Sequence, residues 1–231
     1  MTGKLLTHMA WVAVFAIAMA YLESAVVVYL RALFFPQGFT FPLPVMDRSI
    51  VITEVGREIA TIVMLVAPGA LLARSGTQRF AWFLFAFGVW DIFYYIWLKI
   101  LLGWPASLFA MDILFLVPVP WVGPVIAPCL ISLGFVLLAV VVLHGSGKNP
   151  GFRIQWQEWA LLCAGSASML WSFTGDHVVH TIRHGGNMLN NGPAYMLRDA
   201  GMEAAFSWIA FLSGACLALA AVARTVRRAL R

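Results

Sequence analysis

Two stretches of this chain place an acid and a base eight residues apart inside apolar surroundings: "ESAVVVYLR", with Glu23 and Arg31, and "DIFYYIWLK", with Asp91 and Lys99. On a helix that spacing separates the charges by about 12 Å, too far for a direct bridge. Tyr95 falls between Asp91 and Lys99, so these three form a polar stripe along one helix face. A third stretch, "TEVGRE", sets Glu54, Arg57 and Glu58 within one turn of each other, and Asp112 follows in "AMDILF". Ionisable side chains within an apolar span are expensive and point to function. Glu23, Glu54, Glu58, Asp91 and Asp112 outnumber Arg31, Arg57 and Lys99 by two charges. Either some of these carboxyls carry protons or a cation is bound, because unpaired buried charge is costly. Glu23, Glu54, Arg57, Glu58, Asp91, Tyr95, Lys99 and Asp112 are therefore the candidate ion- or ligand-binding residues. Glu23 and Asp91 lead, being nearest mid-depth. Salt bridges that fix helix register, or side chains that snorkel to the interface, would explain the same residues without a ligand.

The second constellation is "GDHVVHTIRHGG", which holds three of the five histidines, His177, His180 and His184. If the helix runs on to the Gly185–Gly186 stop, all three share a face. The i,i+4 pair His180 and His184 then has the spacing with which two imidazoles grip one divalent metal. "HTIRH" lacks the glutamate of a zincin, and no other span offers a mid-membrane histidine for a b-type haem. Three histidines at a wet helix end are equally ordinary surface residues.

Little else suggests catalysis. Ser166 and Ser168 have no histidine and acid at nucleophile spacing, and there is no phosphate-cradling glycine loop. Cys129, Cys163 and Cys216 lie within apolar runs, form no CxxC and read as packing residues.

The elements that must position these groups are membrane helices. Hydrophobic residues make up 62% of the 231, charged residues only 11%, and mean hydropathy is +0.88; a soluble domain carries about 25% charged residues. Six segments have the roughly 20 apolar residues that a span needs: about 9–34, 50–73, 80–102, 122–144, 156–176 and 201–223. The N-terminal stretch has signal-peptide character, yet its apolar run continues through "AVVVYLRALFF", so an uncleaved first span is expected. Small-residue runs at 164–168 and 213–221 suit close helix packing.

Sorting the charges gives an orientation. Lys4, Arg74, Arg79, Lys148, Arg153, Arg224, Arg227, Arg228 and Arg231 share one side with Glu158. Asp47, Glu54, Glu58, Asp112, Asp176, Asp199 and Glu203 share the other. The positive-inside rule then makes both termini cytoplasmic. It also accounts for the net charge of +5 without nucleic acid, since no basic run is interleaved with exposed aromatics.

Before the fourth span, "GWPASLFAMDILFLVPVPWVGPVIAP" holds prolines at 105, 118, 120, 124 and 128. Residues 106–117 have room for a short helix, but "PVPWVGP" cannot continue one. Two arrangements fit: an interfacial helix with Trp104 and Trp121 as belt residues, or a re-entrant segment capping a site.

The run from "WDIFYYIWLK" through "PVIAP", together with "ESAVVVYLR" and "EVGREIA", resembles stretches of uncharacterised bacterial polytopic inner-membrane proteins. The resemblance covers about the first 130 residues and implies a bacterial membrane protein; it carries no activity, ligand or cofactor, and the histidine segment lies outside it.

The expectation is thus an all-α integral membrane protein: one domain over 1–231, a six-helix bundle with N-in/C-in topology and a proline-broken segment before the fourth span. In the leading reading an outward-facing acidic site binds or passes a cation, proton or small polar solute. The alternatives are a metal- or redox-active subunit of a respiratory-type complex using the three histidines, and a structural or assembly subunit. The partners expected are the lipid bilayer and either further copies of the chain or a larger membrane complex.

Overall fold

The computed structural model describes residues 3–38, 47–116, 119–183 and 206–230, without the side chains of His180, Thr181 and Arg183. Among these residues the order is α1 (Gly3–Phe34), α2 (Arg48–Leu72), α3 (Gly76–Leu102), β1 (Met111–Phe115), β2 (Trp121–Pro124), α4 (Ile126–Lys148), α5 (Trp156–Arg183) and α6 (Trp208–Leu230). Apart from the short antiparallel β1–β2 ribbon, the fold is helical.

α3 is the centre of the bundle. Its 27 residues make a rod of about 40 Å, apolar over most of its surface outside the Asp91–Tyr95–Lys99 stripe and therefore able to take several partners. Its start is fixed reciprocally: the Ser75 hydroxyl accepts the Gln78 N–H (3.3 Å) while Gln78 Oε1 accepts the Arg74 N–H (2.8 Å). Its end is Gly103, at φ +65°, whose N–H returns to the Lys99 carbonyl. α1, α2 and α4 pack on α3; α4 also packs on α6, and α6 on α5.

Lipid tails are as apolar as leucine, so these helices gain little from hiding apolar surface and must associate through close packing. The small-residue runs provide it. A Cβ on Gly165 would sit 2.7 Å from the Gly214 carbonyl oxygen, and one on Gly214 would sit 2.5 Å from that of Gly165. The Ser168 hydroxyl donates to the Ala210 carbonyl across the same α5–α6 contact (2.8 Å). α3 and α4 meet similarly at Gly88, where a Cβ would lie 2.6 Å from the Ser132 carbonyl oxygen.

Among the described residues four helices, α1, α3, α4 and α6, are long and apolar enough to cross a membrane, and their outer faces leave residues such as Trp11, Leu133 and Ile209 exposed for lipid. α2 and α5 are not among these four; α2 carries Arg48, Glu54, Arg57 and Glu58, and α5 carries Glu158, Asp176, His177, His180 and Arg183.

Basic residues gather at one end of the bundle. Phe80 packs on Trp159 there. The completely buried Glu158 accepts the Gln155 N–H (2.8 Å) and faces Arg228 Nε at 3.1 Å. Arg228 also donates to the Arg153 carbonyl (2.6 Å) and lies over the Phe152 ring. This clasp explains why α6 runs to Leu230, past the expected limit of 223. The arginines continue the helix and cover its end instead of breaking it.

The proline-rich segment differs from the expected helix over 106–117. It forms strand β1 paired with β2, with Asp112 opposite Gly123 and Ile113 opposite Val122, and a bulge before Phe115. β-Branched and aromatic residues favour extended backbone, and prolines on both sides of β2 exclude a helix there. The fourth helix accordingly starts at Ile126, not 122. The ribbon descends beside α3: Asp112 meets Tyr95, and Phe115 reaches Phe87 and Trp90. Phe87 lies roughly 22 Å below the end of α3.

Replacing Gly214 with Leu is expected to lower stability by about 1–3 kcal/mol through overpacking, whereas Gly134→Leu, with open space around its Cβ position, leaves the thermal midpoint in detergent unchanged.

Candidate functional site

The acids and bases of the first three helices meet across helices, not along them. α2 presents Glu54, Arg57 and Glu58 within about one turn of each other. The Arg57 guanidinium pairs with Glu54 on its own helix and with Glu23 on α1. Thr61, one turn further along α2, donates its hydroxyl to the other oxygen of Glu23 (3.0 Å). Arg57 thereby ties α1 to α2, both of which lie against α3. Ser24, next to Glu23, is fully buried and donates to the Tyr94 carbonyl of α3 (3.1 Å).

Asp112 anchors the ribbon. It accepts the Tyr95 hydroxyl (3.2 Å) and faces Arg31 of α1 at 3.8 Å. The Arg31 guanidinium lies 4.0 Å above the Trp104 ring, a cation–π contact. Glu58 serves the same ribbon: both of its oxygens accept the Leu116 N–H (3.0 and 3.1 Å) at the end of β1. Lys99 stands apart from the carboxylates. Its ammonium donates to the carbonyls of Gly103 and Pro105, capping the end of α3. The stripe Asp91–Tyr95–Lys99 thus divides among three partners.

Asp91 is engaged least. It retains 7% of its surface, and its Oδ2 accepts the Ser132 hydroxyl of α4 (2.8 Å). Among the described residues no base lies within ion-pair distance of it. Two cavities adjoin it. The smaller, about 130 Å³, is lined by Glu23, Glu54, Glu58, Asp91 and Asp112 together with Arg31 and Arg57. Five carboxyls there face two guanidinium groups. The larger, about 520 Å³, lies between α2 and α4 and is walled mainly by aromatic and aliphatic residues. Glu58, Asp91 and Leu114 line both.

Seven of the eight sequence-derived ligand candidates therefore converge, Lys99 being the one apart. Arg31, Thr61, Ser132, Ser24 and Trp104 join them. Ser132 was visible only as a lone hydroxyl in "CLISLGFVLL"; Thr61 follows Arg57 at i+4, on the face already carrying charge. The histidine cluster falls largely outside the described residues. His177 is half-buried on α5; the side chain of His180, and all of His184, lie outside the described residues. Among the described residues, no group of three histidine, cysteine or acidic side chains is placed to hold a metal.

Comparisons with protein-family models, with curated proteins and with solved structures find no match for this chain.

Removing the shared cation should leave two half-buried acids unpaired at once. Arg57→Leu is expected to cost about 3–5 kcal/mol. The triple variant Glu23→Gln/Glu54→Gln/Arg57→Leu should recover most of that loss, as read from thermal unfolding of the purified protein.

Proposed function

We propose that this is a six-span bacterial inner-membrane protein with both termini cytoplasmic, whose intramembrane acidic site binds a proton or a small inorganic cation. α2 and α5 have 25 and 28 residues, enough to span about 37 and 42 Å. They supply the second and fifth crossings, with their polar residues turned to protein or to the outer interface. Basic residues cluster at the end of the bundle that would face the cytoplasm, in keeping with the positive-inside rule.

The observation that carries the reading is Asp91. A carboxyl with so little exposed surface, one hydroxyl donor and no base beside it requires a positive charge in some form, a proton or a bound cation. The adjoining polar cavity has room for a small group of waters or a hydrated ion and not for an extended solute, which narrows the ligand to the inorganic end of the range. Glu23 and Glu54 share Arg57, and Asp112 has Arg31, so these pairs shape the site. Glu58 and Lys99 bond to backbone and belong to its framework. Passage of the ion to the outer face would run along the Asp112–Arg31 side, where α1 and the ribbon meet.

Infrared difference spectra of the protein in nanodiscs check this. A carboxyl band that responds to pH or to added Na⁺, K⁺ or Mg²⁺ is expected in the wild type and absent from Asp91→Asn. A band in the variant indistinguishable from wild type, or none that responds at all, would sink the reading.

A further inference from the structure

The larger cavity is a cleft across the middle of α3, bounded by α2 on one side and α4 on the other, with the ribbon above. Its walls carry a continuous run of aromatic rings. Phe87 packs on Phe135 at 5.8 Å between centroids and on Phe115 at 6.3 Å; Phe115 meets Trp121 at 5.6 Å, and Trp121 stacks on Phe173 at 6.3 Å. Two acids, Asp91 and Glu58, are the charged residues among its lining, and no arginine or lysine joins them. Glu58 is committed to the Leu116 amide. Asp91 has given one oxygen to Ser132 and has a second with no hydrogen-bond partner among the described residues.

That combination has one chemical complement. Ring faces carry negative electrostatic potential and attract cations, most strongly where water is excluded. A carboxylate adds a full charge at the end of the same wall. An anion would be repelled, a bare metal ion would find too few oxygens, and an acyl chain would gain nothing from two acids. About 520 Å³ falls within the usual range for a small-molecule site. On the α2 side the lining residues Ile59 and Val63 are 53% and 65% exposed, so entry is from the lipid-facing flank, where a lipophilic cation partitions. The geometry points to this cleft as the binding site of a lipophilic organic cation, held by the faces of Phe87, Phe135 and Trp121 and by the Asp91 carboxylate. This rests on the reading of Asp91 above: the organic cation enters as the proton or inorganic ion leaves, one positive charge for one.

Calorimetric titration of the nanodisc-embedded protein with tetraphenylphosphonium tests it, with triphenylphosphine oxide as the uncharged comparator. Saturable binding is expected. It should weaken about tenfold or more in Asp91→Asn and in Phe87→Leu/Phe135→Leu, with the uncharged compound failing to compete. The paired aromatic variant should keep the cation-responsive carboxyl band of Asp91, since it leaves that side chain in place. No binding to the wild type, undiminished binding to Asp91→Asn, or equal competition by the phosphine oxide would each overturn the inference; the last would make the cleft a pocket for uncharged chains. Loss of tetraphenylphosphonium binding with a responsive band removes the organic-cation site alone. Loss of both removes the ion site as well.

Discussion

Extended backbone brought to the middle of an apolar helix bundle must find every hydrogen-bond partner within the protein, because water is not there to supply them. The ribbon between α3 and α4 meets this demand in stages. β1 and β2 satisfy each other along their shared edge. The Val125 and Ile126 amides donate to the Ala110 and Leu108 carbonyls, handing the chain over to α4. At the far end of β1 the Leu116 amide has Glu58, a charged acceptor and so a stronger one than a neutral carbonyl. Much of the polar architecture follows from that arrangement. Asp112 holds the ribbon to Tyr95 and Arg31, Lys99 closes the carbonyls from which the ribbon departs, and Arg57 sits one residue from Glu58 with an acid on either side.

Within this framework the acids fall into two kinds. Glu23, Glu54, Glu58 and Asp112 each have a cation or a backbone amide and contribute to holding four elements in register. Such arrangements stabilise mainly by comparison with their own broken forms, since taking both charges out of water offsets much of the attraction. Asp91 belongs to the second kind. It stands where a polar, charged cavity and an apolar, aromatic one meet, so this carboxyl is offered to both. On the proposed reading, a carboxyl that takes inorganic ions from one side and organic cations from the other has to be accessible to each and neutralised by neither neighbour. The absence of a nearby base among the described residues meets that requirement.

Of the six spans read from the sequence, four were announced clearly, because hydropathy and length alone govern that property. Four helices qualified on composition, and the ends of α1, α2 and α3 fell within a few residues of expectation apart from the longer start of α1. It also announced which side chains would be interesting, since an acid in an apolar run is rare enough to be conspicuous. Partners were not legible. Glu23 and Arg31 stand too far apart on one helix to pair, and nothing in the sequence says that Glu23 takes Arg57 from α2 while Arg31 takes Asp112 from the ribbon. Proximity along a helix says nothing of which neighbouring helix lies alongside. The ribbon was missed for a different reason. "MDILF" and "WVGP" carry β-forming residues bracketed by proline, but in so apolar a chain hydrophobic runs suggest helix first. The large cleft had no sequence signature at all, being made of residues from six separate elements.

The clasp at the basic end has a consequence for how the protein is made. Glu158 opens α5, but the arginine that faces it arrives only with the far end of α6. During synthesis α5 therefore emerges with a carboxylate destined for complete burial and no guanidinium to accompany it. A chain cut short before Arg228 would keep that carboxylate with the Gln155 amide alone, a buried charge without its cation.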